Sequence, residues 1–337
     1  IIALTGSNGK TTTKELIQVV LSKKYKTKAT VGNLNNHIGV PLTLLSFNSN
    51  TEIGIVEMGA NHKKEIQFLC ELAQPDYGYI TNFGKAHLEG FGGVQGVIEG
   101  KSEMYDYLSK NDKLAFINME DPIQVERSIK LRTYSFGVKR DNVAVSIGSI
   151  KADPFVEVCY NETVISSHLI GLYNANNLDA ALAIGKYFGV EDLSIKEALE
   201  NYIPENNRSQ LLTKGSNEII LDAYNANPSS MEVAIVNFLQ LKNPNKVMIL
   251  GDMFELGKES QQEHRAIVQM LLDEEKVECC FIGSAFYASK IEKFNFKFYN
   301  TFEDFSADLA KTEYKESTIL IKGSRGMALE RTLDFLG

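Results

Sequence analysis

The chain begins on an apolar run, Ile1-Ile2-Ala3-Leu4, and breaks at Thr5-Gly6-Ser7-Asn8-Gly9-Lys10-Thr11-Thr12-Thr13 into a segment whose pattern predicts a helix through Tyr25. A strand that turns on glycines straight into a helix aims backbone N–H groups and the positive end of the helix dipole at one point, an arrangement suited to an anion. Lys10 adds a mobile charge and Thr11 a hydroxyl that can serve Mg²⁺. The spacing departs from the general G-x4-GK[ST] pattern, because Leu4 stands where the first glycine belongs and the leading glycine is Gly6. This reads as a shortened nucleotide-phosphate cradle involving Gly6, Asn8, Gly9, Lys10, Thr11 and Thr12. An ordinary strand-to-helix turn also uses glycine for positive φ, but it leaves a lysine and a run of threonines at the helix start unexplained.

A chain of 337 residues has room for two domains, and 44% hydrophobic with 23% charged residues is the composition of a soluble globular protein. The net charge of −8 argues against a nucleic-acid or anionic-membrane surface, so anionic ligands must be held locally. No apolar run approaches the roughly 18 residues that span a bilayer, and no basic segment leads a hydrophobic one. A cytoplasmic small-molecule enzyme is expected. The start on a strand without methionine suggests a true N-terminus upstream. Cys70, Cys159, Cys279 and Cys280 form no CxxC pair and read as reduced packing residues.

Leu16, Ile17, Val20 and Leu21 make an apolar stripe on the first helix, with Lys14, Lys23 and Lys24 expected to face water. β-rich runs at 52–58, 77–82, 113–118 and 132–136 alternate with amphipathic segments, which predicts right-handed βαβ units and a parallel sheet covered on both faces. Short Val- and Ile-rich runs over 143–169 predict an antiparallel excursion. Helices are expected at about 175–188 and 194–202. The polar stretch Pro204-Glu205-Asn206-Asn207-Arg208-Ser209 then suggests a boundary, after which strands at 219–223, 246–251, 278–283 and 317–323 restart the alternation. The expected fold is α/β: a P-loop-type doubly wound central domain over 1–205 and a smaller Rossmann-like α/β domain over 206–337.

Ligands of open parallel sheets gather beyond the C-terminal ends of strands, and there the sequence is polar. Glu57 ends a strand before Met58-Gly59 and is placed to hold Mg²⁺ beside Thr11; a solvated strand-end carboxylate is the plainer alternative. The loop after the next strand carries His87, a candidate metal ligand or phosphate contact. Lys101, near the start of a helix over 97–108, reads by spacing alone as a surface lysine. Asn33, Asn35 and Asn36 lie between Gly32 and Gly39, either to bond a polar ligand or as a plain Asx-rich turn. His62, His168 and His264 have no evident partner and receive no role.

Taken together, residues 5–13, Glu57-Met58-Gly59, His87, Lys101, Tyr173-Asn174-Ala175-Asn176-Asn177, Arg208 and Asp222 resemble, in order and spacing, the Mur ligase family of ATP-dependent amide-forming enzymes. The shortened cradle is that family's own form, while Tyr173 stands where the family has histidine. Residues 33–45, Asp222-Ala223-Tyr224-Asn225-Ala226-Asn227-Pro228 with Ser230-Met231, and Leu250-Gly251-Asp252-Met253 with Glu255-Leu256-Gly257 resemble the branch that adds D-alanyl-D-alanine.

The resemblance implies ATP and two Mg²⁺ sites: Lys10 on the β- and γ-phosphates, Thr11 and Glu57 on one metal, and His87 and a carbamylated Lys101 serving the second. It implies adenine-side contacts from Asn174 and Asn177, a phosphate contact from Arg208 at a hinge and a ribose contact from Asp222. Asn35, Asn36, Asn225, Asn227, Lys322, Ser324 and Arg325 would meet the substrates, a UDP-linked muramoyl peptide and D-Ala-D-Ala, with Arg325 suited to the dipeptide carboxylate. The family's own N-terminal uridine-binding domain is not in this sequence. The reaction implied is carboxylate phosphorylation followed by amine attack in peptidoglycan precursor synthesis, in a cleft that excludes water. A sibling ligase adding another amino acid, a folylpolyglutamate-type ligase, and a nucleotide-binding protein without ligase activity are the alternatives.

Overall fold

Seven short strands, separated by helices as far as the sixth, set the first half of the chain: β1 (Ile2–Thr5), β2 (Thr27–Ala29), β3 (Ile53–Glu57), β4 (Tyr77–Ile80), β5 (Leu114–Asn118), β6 (Arg132–Val138) and β7 (Val145–Ile147). The computed structural model describes residues 1–336. These fall into two units, 1–85 with 90–203, and 86–89 with the residues from Pro204 onward.

In the first unit the seven strands form one sheet in the order β2-β3-β1-β4-β5-β6-β7, and every pairing is parallel. All residues of β1 and β3 are buried, as a sheet covered on both faces requires. The chain leaves β1 toward β2 and β3 on one side and then crosses to β4 on the other, so the C-terminal ends of β3, β1 and β4 adjoin at a topological switch point. One face is covered by α1 (Lys10–Leu21) and the helix Ala175–Tyr187, which share a core with Ile2, Leu4, Tyr79, Phe116 and Phe136. The second helix is alanine-rich and approaches closely: a Cβ on Gly185 would lie 2.5 Å from Cγ1 of Val20.

Lys14 is a correction. Together with Leu16, Ile17, Val20 and Leu21 it is buried, whereas Lys23 and Lys24 are exposed. Lys14 lies three and seven residues before Ile17 and Leu21, which puts it on the apolar stripe. Strand β2 was not expected either; it is three half-buried residues at the sheet edge. The antiparallel excursion begins later than expected, since β7 pairs parallel with β6 and only β8 (Ser149–Ala152), β9 (Phe155–Tyr160) and β10 (Thr163–Ile170) form the antiparallel sheet.

The second unit holds a six-stranded sheet built from β11 (Gln210–Lys214), β12 (Asn217–Asp222), β13 (Lys246–Gly251), β14 (Val277–Ile282), β15 (Phe296–Tyr299) and β16 (Thr318–Lys322), in the order β11-β12-β16-β13-β14-β15. Five strands run parallel; β11 is an antiparallel edge. Ile219, Leu221, Val247, Ile249, Ile319 and Ile321 alternate into its core. Among the described residues all four cysteines are free, and no helix is long and apolar enough to cross a membrane.

Candidate active site

Residues 6–9 form a turn strapped down by the segment that follows β4. The Ser7 N–H donates to the Asn82 carbonyl (3.0 Å) and the Asn8 N–H to Asn82 Oδ1 (3.1 Å), while Thr81 Oγ1 and Asn82 Nδ2 donate to the Asn8 carbonyl (2.6 and 3.0 Å). Gly6 has φ +145°, and a Cβ there would lie 1.9 Å from Thr81 Oγ1. Gly9 sits at φ +79° and begins α1 with no side-chain cap, so the helix start presents its N–H groups outward. Lys10 Nζ folds back onto the carbonyl of Gly6 at 2.8 Å. Thr11 and Thr12 are buried in the first turn.

Asn177 ties this turn to the helix Ala175–Tyr187. Its Oδ1 accepts from Thr13 Oγ1 (2.9 Å) and stands 2.6 Å from where a Cβ of Gly9 would be; its Nδ2 donates to Asn174 Oδ1 (2.8 Å). Asn174 in turn donates to the Ile170 carbonyl (2.8 Å).

At the ends of β1 and β3, Thr11 Oγ1 donates to Glu57 Oε1 at 3.2 Å, and Asn35 Nδ2 donates to the same oxygen at 2.8 Å. Glu57 is 1% exposed, and its Oε2 has no hydrogen-bond donor. A buried carboxylate with one oxygen left over, beside a threonine hydroxyl, fits a Mg²⁺ ion that takes one or two protein oxygens and completes its shell with phosphate and water. Among the described residues no group of three or more His, Cys, Asp or Glu side chains could hold an ion alone. Asn36 Oδ1 accepts from the N–H groups of Ile38 and Gly39, in the turn that leads into the helix Gly39–Ser46.

Lys101 is 1% exposed, against the surface position its spacing suggested. It lies in the buried row Val97, Lys101, Met104, Tyr105 and Leu108, with Nζ 5.4 Å from the centre of the Phe91 ring. Burial first, and the charge of Lys10 second, hold its ammonium well below the ordinary lysine range. That row was the signal for its burial.

The remaining residues belong to the second unit. His87, grouped there with residues 86–89, has φ +54° and its Nδ1 meets the Glu255 carboxylate. Arg208 stacks its guanidinium 3.5 Å over the Tyr224 ring. Asp222 pairs with the buried Lys322 at 2.5 Å and accepts the Ser209 N–H at 3.2 Å. Asn225 is exposed and accepts the N–H of Ala226, whereas Asn227 caps the helix Pro228–Leu239 through Ser230. Ser324 Oγ receives the Phe254 N–H at 2.8 Å, and Arg325 pairs with Glu330 at 3.2 Å. His264, given no role from sequence, is completely buried and bonded through both ring nitrogens, and the apolar spacing of Ile267 and Val268 around it was its only signal.

Residues 4–185 match the Mur ligase middle domain and residues 207–325 match the Mur ligase glutamate ligase domain. The chain belongs to the Mur ligase family. The UDP-N-acetylmuramoyl-tripeptide--D-alanyl-D-alanine ligase of Bacillus subtilis (strain 168) is 35% identical over 98% of this chain and 74% of that protein. A crystal structure of MurF from Acinetobacter baumannii superposes with a TM-score of 0.87 at 32% identity, over 99% of this chain and 75% of that one. MurF ligase from Thermotoga maritima, solved in complex with ADP, gives 0.84 at 26% identity over 99% and 78%. The Mur ligase chain described here thus spans about three quarters of these relatives.

Proposed function

We infer that the chain is an ATP-dependent, ADP-forming ligase joining D-alanyl-D-alanine to the carboxylate of a UDP-N-acetylmuramoyl tripeptide in peptidoglycan precursor synthesis. The observation that carries this is the 35% identity, over 98% of the chain, to a ligase named for that reaction. In chemical terms a peptide carboxylate attacks the γ-phosphorus of ATP and ADP leaves. The amine of the dipeptide then attacks the acyl carbon, phosphate leaves, and the amine gives up a proton.

The residues divide the work. The N–H groups of the 6–12 turn and Lys10 hold the β- and γ-phosphates; Asn174 and Asn177 face the adenine, Asp222 the ribose and Arg208 a phosphate. Thr11 and Glu57 hold one Mg²⁺, and His87 with Lys101 serve a second. Bound there, Mg²⁺ neutralises charge on the transferring phosphoryl group. Asn35 and Asn36 of the first unit, and Asn225, Asn227, Lys322, Ser324 and Arg325 of the second, bind the two substrates. We take 1–205 as the ATP-binding domain and 206–337 as the C-terminal domain, and place the ATP-consuming reaction in the cytoplasm.

Lys101, held toward its neutral amine, is suited to add CO₂: the nitrogen attacks carbon, one N–H proton leaves, and an anionic carbamate remains. The test of the whole reading is a panel of carboxylate and amine substrates scored for ADP release with the full-length protein. ADP is expected only when both are present, with D-Ala-D-Ala the preferred amine; release without either substrate indicates a nucleotide switch.

A further inference from the structure

One charge in the first unit has no part in these assignments. Lys14 lies one turn beyond Lys10 on α1 and is 2% exposed. Its Nζ stands 3.8 Å from Glu57 Oε2, the oxygen without a hydrogen-bond donor, and 3.8 Å from Glu15 Oε1. It donates instead to the Gly32 carbonyl at 3.3 Å, on the loop that delivers Asn35 to Glu57. Glu15 is held separately by the Tyr202 hydroxyl at 2.6 Å.

A purely structural buried ion pair closes to hydrogen-bond distance, near about 2.8 Å, because that contact is what offsets desolvation. Here the pair stays a full ångström longer. Lys14 therefore places positive charge beside Glu57 while leaving the lone pairs of Oε2 uncovered. Mg²⁺ would approach that same oxygen, and two cations in a buried site repel strongly.

We propose that Lys14 is the resident counter-ion of the metal carboxylate: it balances Glu57 when no metal is bound and opposes entry of a free divalent ion. The ion is then retained only when nucleotide phosphates add their negative charge. Lys14 is thus a positioning residue that makes metal and nucleotide bind as one. This rests on the assignment of Thr11 and Glu57 to the metal.

The probe is Mn²⁺, followed by electron paramagnetic resonance of the free ion as it is titrated into the full-length protein, with and without a non-hydrolysable ATP analogue. Wild type is expected to hold Mn²⁺ alone only weakly, and Lys14→Met, of similar length and uncharged, to hold it at least about tenfold tighter. A folded Lys14→Met protein within twofold of wild type overturns the proposal. So does a wild-type site that already binds free Mn²⁺ at micromolar concentration, a measurement that needs no variant. Glu57→Gln separates the two levels. If it leaves Mn²⁺ binding to the nucleotide complex unchanged, the metal assignment falls and takes this proposal with it. If it weakens that binding while Lys14→Met changes nothing, the role of Lys14 alone falls.

Discussion

His264 accepts the backbone N–H of Met253 at Nε2 over 2.9 Å while its Nδ1 donates to the Ser260 carbonyl at 2.7 Å. This fixes one neutral tautomer inside the second unit and anchors the start of the 252–257 loop. Burial pushes the imidazole below its ordinary 6.5, against the opposing pull of Asp252 at 3.7 Å. A base with a depressed folded value contributes its full stability above about pH 6.5 and loses it as pH falls toward the folded value. Thermal melts from pH 8 to pH 5 should show this loss. His264→Phe should cost about 1–3 kcal/mol at pH 8 by orphaning the Met253 N–H, and should flatten the acid slope. Equal slopes in the two proteins would reject the assignment.

Asp179 works in the opposite direction. It is 2% exposed on the helix Ala175–Tyr187, its Oδ1 has no hydrogen-bond partner, and burial, aided by Glu120, raises its pKa from 3.8 to about 8. A carboxyl with a raised folded value gives its full stability below pH 3.8 and loses it as pH climbs to about 8. Asp179→Asn keeps the shape and stays neutral, so it should exceed wild type by at least about 1 kcal/mol at pH 8. Urea midpoints at pH 5 and pH 8 that shift in parallel for the two proteins would count against it.

Much of the architecture was legible because its signals are local. Glycines 6 and 9 mark the turn, the 3.6-residue stripe of Leu16, Ile17, Val20 and Leu21 marks α1, and alternating runs mark the parallel strands. The edges were not legible. Strands β2 and β15 are three and four residues long, and β11 is mostly exposed, so neither length nor burial distinguishes them from loops. Charged residues inside buried rows misled for a related reason. Lys14 and Lys101 occupy core positions of their helices, yet a lysine is ordinarily evidence of solvent. What the sequence did not reveal was the company each keeps: a carboxylate for one, an aromatic ring for the other.

Removing the Lys10 ammonium should be nearly silent in folding. Its Nζ donates to backbone carbonyls of the turn, at 2.8 Å to Gly6 and 3.5 Å to Ser7. Lys10→Ala is expected to reduce ligation by about 100-fold or more with an unchanged melting temperature. Near-normal ADP release by the variant would remove the cradle from the mechanism.

Lys101→Ala should likewise lose most activity, by about two orders of magnitude if a carbamate orders the second metal site. Acetate or formate at high concentration should restore part of it by occupying the vacated anion position. Mass spectra of the intact protein in bicarbonate buffer should carry the added mass of one CO₂ at Lys101. A fully active Lys101→Ala protein, or an unmodified lysine under those conditions, would leave the second site to His87.

The Oδ1 of Asn177 fills the space that a side chain on Gly9 would need. Positions 9 and 177 are 168 apart in the sequence. They nevertheless share one small volume, so neither is free to drift alone through evolution. A bulkier residue at 9 calls for a smaller one at 177, and that replacement also cuts the tie to Thr13. The phosphate turn and the asparagine motif must therefore be inherited as a pair, and a graft of either onto another scaffold has to carry the other with it.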